Sequence, residues 1–130
     1  MAAVNSVKTV DYSKNDKQIL VAPELAFTIG CLVTNTGLSA DENGKKILKA
    51  GTPVGGGDVL TNRQTVLEQN TSAPVGVVLH DVDVTEGQEN ATLVVKGIVD
   101  IEKLDSDVIT LVNAAKENLS EITFMSGSKN

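Results

Sequence analysis

Aromatic residues are nearly missing from this chain. They make up 2% of it, as Tyr12, Phe27 and Phe124, and there is no tryptophan. Proteins that hold bases or sugars do so largely on aromatic rings, so the scarcity counts against both kinds of platform. Positive charge is scarce too: 11 Lys+Arg against 17 Asp+Glu leave a net charge of −6. A surface with so few cations releases few counterions from phosphates, and nucleic acid is not an expected partner. One cysteine, Cys31, cannot make an internal disulfide, and one histidine, His80, cannot build a multi-histidine metal site. No apolar run approaches the ~20 residues that span a bilayer. Met1 to Val10 lacks an apolar block behind a basic flank, so neither a membrane partner nor a secretory signal is expected. With these groups so sparse, the expectation is a structural or binding protein, not an enzyme, with no cofactor.

What is present fits one folded domain with an arm. The chain has 130 residues and a mass of 13.6 kDa, 41% of it apolar and 22% charged, a composition suited to a compact fold. The core must be built from Val, Ile, Leu and Ala. Residues 1–18 are polar with scattered small apolar positions and no sustained period, and read as an N-terminal arm. Residues 19–126 read as a β-rich domain, and residues 127–130 as a polar tail.

Ile19 to Ala22 and Phe27 to Thr34 are apolar runs bounded by Gly or Pro and read as strands. Asn43-Gly44 supplies the positive φ of a tight hairpin, with Lys45 to Lys49 as its return strand. Ala50 to Gly57 holds four glycines and a proline, and reads as loop. Val59 to Leu67 is ambiguous, and Asn70 to Pro74 reads as loop. Val75 to Val84 alternates as one strand, with Val75, Val77 and Leu79 on one face and Val78, His80, Val82 and Val84 on the other. Ala91 to Ile101 is the strongest strand. Its alternation puts Leu93, Val95, Val99 and Ile101 on one face and Val94, Lys96, Ile98 and Asp100 on the other. The short connection between these two strands predicts an antiparallel pair. Leu104, Val108, Leu111, Val112, Ala115 and Leu119 fall at helical spacing behind an N-cap at Asp105 or Ser106, and Glu121 to Met125 reads as a last strand. The expected class is mostly β with one C-terminal helix.

Each candidate site has a plainer explanation. Asp81, Asp83, Glu86 and Glu89 could crowd a hard cation, but the EF-hand spacing would place Gly where Glu86 stands. A solvated strand edge, neutralised by Lys96 or Lys103, explains the same acids. Gly55-Gly56-Gly57 is followed by Asp58, whose charge repels the phosphate that a glycine-rich loop would cradle. His80 lies among valines, with Asp81 pointing to the opposite face, so a third group to orient a base is missing. Cys31 reads as a small buried side chain. Asn70, Asn90 and Asn118 head glycosylation triplets, which carry no consequence without a signal sequence. Gly51, Pro53, Gly55, Gly56, Gly57 and His80 are the candidate subunit contacts, since close backbone approach and a lone polar group among aliphatics both suit a packed interface.

Four segments in order carry a family resemblance: Ile47-Leu48-Lys49-Ala50-Gly51-Thr52-Pro53-Val54-Gly55; Pro74 to Gly87; Leu93 to Asp100 with Lys103-Leu104; and Ile122-Thr123-Phe124 after the helix. Over roughly residues 45 to 125 the chain resembles tailed-phage head decoration proteins, including the lambda-type proteins and the capsid-binding base of head-fibre proteins. The resemblance implies a β-clip-like decoration fold and no catalysis. It implies a homotrimer on the outer capsid surface of the virion, made in the host cytoplasm and bound to the major capsid protein. The arm, through Val4, Val7, Val10 and Tyr12, is the implied capsid contact. The competing expectations are a small phage-surface adaptor or carbohydrate-binding β domain, and an enzyme domain of β-clip type.

Overall fold

A computed structural model describes residues 18–126. The elements run β1 (Leu20–Val21), a 3-10 turn (Pro23–Leu25), β2 (Phe27–Val33), β3 (Ile47–Leu48), β4 (Pro53–Gly55), β5 (Val66–Gln69), β6 (Pro74–Val78), β7 (Val82–Asp83), β8 (Glu89–Asp100), a 3-10 turn (Ile101–Lys103), α1 (Ser106–Ala115), a 3-10 turn (Lys116–Asn118) and β9 (Ile122–Met125). The fold is mostly β with one short helix near the C-terminal end.

Five strands close on themselves. Around the ring β8 pairs β2, β2 pairs β5, β5 pairs β4, β4 pairs β6, and β6 returns to β8. Only the β2–β5 contact is parallel. The result is a small barrel-like sheet. Its interior holds Cys31, Val33, Leu48, Val54, Val59, Leu67, Val78, Val84 and Leu93, all buried. Glycine makes the tight spots possible. A Cβ on Gly76 would collide with the Val94 carbonyl and the Leu93 side chain.

β8 is long enough to serve two layers. Its first half belongs to the barrel, and its second half pairs β1 on one edge and β9 on the other. α1 covers one face of this three-stranded lobe. Ile19, Leu20, Val99, Val108, Val112, Ala115, Leu119 and Ile122 form a second core there with Val77 and Val94. The helix presents Val108, Val112 and Ala115 at 4- and 3-residue steps, so one stripe is buried and the rest is polar. Asp105 takes the N-cap position, as expected from its place before the apolar stripe.

Several expectations need correction. The two faces predicted for β8 do not survive along its length, because Leu93 lies in the barrel interior while Val99 lies under the helix. The cause is a bulge: Phe27 pairs Lys96 but Thr28 pairs Val94, so Val95 is skipped and the alternation changes sign. The run Val75 to Val84 is two strands, since the chain turns at Leu79–Asp81 and β7 leaves to pair β3. The expected antiparallel pair with β8 is present in its first part, Val77 to Val94 and Val78 to Leu93. Asn43-Gly44 does turn the chain, with Gly44 at φ 77°, but its return strand β3 does not pair β2. Asn35 and Lys46 tie this loop to Val84 and Thr85 instead (2.9 Å each). Finally, the glycine-rich stretch contains β4. Pro53 can begin the strand because its carbonyl, not an amide hydrogen, is what Asn70 needs (3.0 Å).

Candidate functional site

The β3–β7 ribbon and the start of β8 frame an open groove of about 670 Å³, lined by Lys45, His80, Asp81, Asp83, Glu86 and Glu89 among others. These are the acids that could crowd a hard cation. The structure assigns two of them to the backbone. Asp81 accepts the Ala50 amide hydrogen at 2.8 Å, which fixes the turn leading into β4. Asp83 accepts from the Thr85 amide at 3.0 Å and the Thr85 hydroxyl at 2.6 Å. The Thr85 hydroxyl, then its amide, and then Lys45 hold the Asp83 carboxyl below its ordinary range. Lys45, 3.7 Å away, is the cation beside Asp83; Lys96, expected in that role, instead pairs Glu121 at 3.5 Å. Among the described residues no group of three or more His, Cys, Asp or Glu side chains is arranged to hold a metal ion.

A second groove of about 450 Å³ runs between the residue 37–49 loop and α1, over Leu38, Ile47 and Leu111. Lys49 bridges it to the helix N-terminus, 3.1 Å from Asp107 and 3.4 Å from Asp105. The hydrogen bond to Asp107 leads the influences that raise the Lys49 pKa. The two carboxylates separate this cation from the positive end of the helix dipole, so the contact closes the loop onto the helix.

The expected subunit contacts divide sharply. Gly51, Pro53 and Gly55 are buried within the chain, so their close packing is internal. Gly51 has φ 93°, and a Cβ there would strike the Leu104 side chain; Gly55 sits against the Ala73 backbone. Gly57 and His80 are half-buried, and Gly56 is exposed. Val4, Val7, Val10 and Tyr12 lie outside the described residues. Cys31 is buried as expected, and burial pushes its thiol pKa up against a smaller opposing pull from Arg63. Asn70 spends its side-chain oxygen on the Ser72 and Ala73 amides (3.1 and 2.8 Å), so it is a turn former.

The sequence reading missed the apolar surface. Leu25 is 71% exposed and Phe27 53% exposed; Met125, Leu60 and Val66 are also open to solvent. Leu25 and Phe27 flank β8 on one side, through the Pro23–Leu25 turn and the Phe27–Lys96 pairing, and Met125 lies on the other, opposite Asp100. Ala22, just before Pro23, takes a left-handed conformation with φ 57°, which costs a non-glycine residue backbone strain. The turn is closed by the Leu25 amide donating to the Ala22 carbonyl at 2.9 Å and the Ala26 amide to the Pro23 carbonyl at 3.1 Å. The sequence signal for Leu25 and Phe27 was a pair of large apolar residues at and just after the end of a proline-started turn, which reads equally well as core.

No helix of the described residues is long and apolar enough to cross a membrane. Compared with known protein families and with curated proteins, the chain matches none.

Proposed function

We propose that this chain is a virion structural protein of decoration-protein fold. It binds the outer surface of a tailed-phage capsid and cements neighbouring major capsid proteins on the expanded head. The observation that carries the reading is the apolar pair Leu25 and Phe27, held open to solvent beside the lobe in which the described chain begins. Two large apolar residues exposed on the same side of β8, in an acidic domain, suit attachment to a protein surface. The ordered segments that resemble decoration proteins support the same reading, for they coincide with β3–β4, β6–β7, β8 and β9.

The mechanism needs no bond to be made or broken. A ligand that binds only the assembled lattice stabilises it by RT ln(1 + [L]/Kd) at each site. Where copies are linked to one another, once one is seated the other contacts become intramolecular, and modest contacts reach avidities ~10²–10⁴ above a single one. The N-terminal segment, with Val4, Val7, Val10 and Tyr12, is the proposed second capsid contact, adding backbone hydrogen bonds to a capsid sheet. A net charge of −6 keeps the outward surface solvated.

The test mixes purified protein with expanded, undecorated heads and follows co-sedimentation and density at the symmetry axes. The full chain is expected to pellet with heads at defined positions. Leu25→Asp or Phe27→Asp should weaken binding about tenfold or more. Deleting residues 1–17 should abolish binding and leave the circular dichroism of the domain unchanged. Heads that stay bare in the presence of the full chain would overturn the reading.

A further inference from the structure

The two outer strands of the lobe end their hydrogen bonding in different ways. β1 is sealed locally: the Leu20 amide, which faces away from β8, donates to the Gln18 side-chain oxygen at 3.0 Å. β9 is not sealed in this way. It pairs β8 in parallel, and no other described strand pairs it. The Gly97 amide donates to the Glu121 carbonyl, so residues 121, 123 and 125 turn their backbone polar groups towards β8. Ile122 and Phe124 turn theirs outward. The Ile122 amide is used by the Leu119 carbonyl at 3.1 Å. That leaves the Ile122 carbonyl and both polar groups of Phe124 along the outer edge.

Proteins normally blunt such an edge with Lys, Pro, a bulge or a covering loop. Ile122-Thr123-Phe124-Met125 carries no charge and no proline, in a chain where 22% of residues are charged. Thr123 and Met125 are both exposed. For a protein of net charge −6 this uncharged strand is a place where a second copy can approach edge to edge without setting like charges opposite each other.

We infer that the outer edge of β9 is a self-association site, where two copies pair β9 to β9 antiparallel across a two-fold axis. The free groups select one register. With Phe124 opposite its symmetry mate, the two residues exchange both backbone hydrogen bonds, and each Ser126 amide can donate to the partner copy's free Ile122 carbonyl. The neighbouring register centred on Thr123 would require the Ile122 amide that Leu119 already holds, and the one centred on Met125 would pair Phe124 with Ser126 and leave the Ile122 carbonyl unused within residues 122–126. In the selected register Thr123 stands opposite Met125 of the second copy as a close, non-hydrogen-bonded pair. The Phe124 rings, half-buried on the helix side, meet across the axis. The inference does not depend on the capsid reading, and a two-fold contact gives a dimer where the family resemblance implies a trimer.

Light scattering across a dilution series reads the outcome. The expected limiting mass is twice the 13.6 kDa of one chain. Two lysines at exposed edge positions, Thr123→Lys with Met125→Lys, should raise the dissociation midpoint about tenfold or more, with the melting curve unchanged when both proteins are diluted below their midpoints. Thr123→Cys with Met125→Cys tests the register. Its cross-strand Cα spacing of about 4.5 Å falls within disulfide range, so oxidised glutathione should link two copies of the variant. The wild type, whose Cys31 is buried, should stay unlinked. A chain that is monomeric throughout, or a limiting mass three times that of one chain left unmoved by the lysines, overturns the inference. So does a dimer that appears only when residues 1–17 are deleted, which would assign the edge to the chain's own N-terminal segment.

Discussion

The barrel interior and the helix-covered lobe solve the same problem with different means. The barrel closes its strands in a ring and fills the inside with small aliphatic side chains, five of its nine buried residues being valine. A ring has no edge, and an interior of that size needs no aromatic residue. The lobe is open. It lays three strands against one helix, buries one face and leaves the other face and two edges to be managed. Leu25, Phe27 and Met125, three of the five large exposed apolar residues, border the lobe. The barrel is therefore the closed part of the fold, and the lobe is the part where open edges and exposed apolar side chains collect.

That contrast can be broken by mutation. Leu93→Ala empties the barrel at a fully buried position beside Gly76 and should cost about 2–5 kcal/mol in chemical denaturation. Val112→Ala, fully buried under α1, removes less side chain and should cost about 1–3 kcal/mol. Because the two residues belong to separate cores, the double variant should lose the sum of the two within ~0.5 kcal/mol. A large coupling energy would mean that barrel and lobe form one packed unit.

Smaller effects sharpen the picture. Cys31 should react with a thiol reagent in the native protein far more slowly than in denaturant, because its thiol is buried and its pKa raised. Acid and base should act on different contacts. The Asp83 carboxyl is depressed, so its contribution is present above its unfolded pKa of about 3.9 and is lost as pH falls through the lower folded value. The Lys49 ammonium is raised, so its contribution is complete below about 10.4 and is lost as pH rises through the higher folded value. Both groups lie near the surface, where screening keeps such effects small. Thr85→Ala should shift the acid limb of a stability–pH profile, and Asp107→Asn should shrink the alkaline limb.

Much of the architecture was legible in the residues. Period-2 alternation identified β8 and the start of β6, and the 4- and 3-residue steps from Leu104 to Leu119 identified α1. Alternation failed where a bulge intervened. Skipping Val95 moves every later side chain of β8 to the opposite face, and nothing in the local composition announces it. The break at Leu79–Asp81 was hidden because Val82 and Val84 continue the alternation of Val78 and His80. Glycine counting misread β4, where Gly55 is used inside a strand to let the Ala73 backbone come close. Of the candidate interaction surface, Leu25, Phe27 and Met125 were invisible, since an apolar residue gives no sign of which side of it stays wet.

The length of β8 has a consequence for how the protein is made. Residues 89–100 supply the partner for β1 and β2, which leave the ribosome first, for β6 in between, and for β9, which leaves last. Until that strand emerges, the ring has a gap and neither half can exclude water. The nascent chain must therefore wait, unassembled, until the strand that ends at Asp100 has been made. Once β8 arrives it completes the ring and founds the lobe in one event, which makes the two halves commit to folding together even though their interiors pack apart.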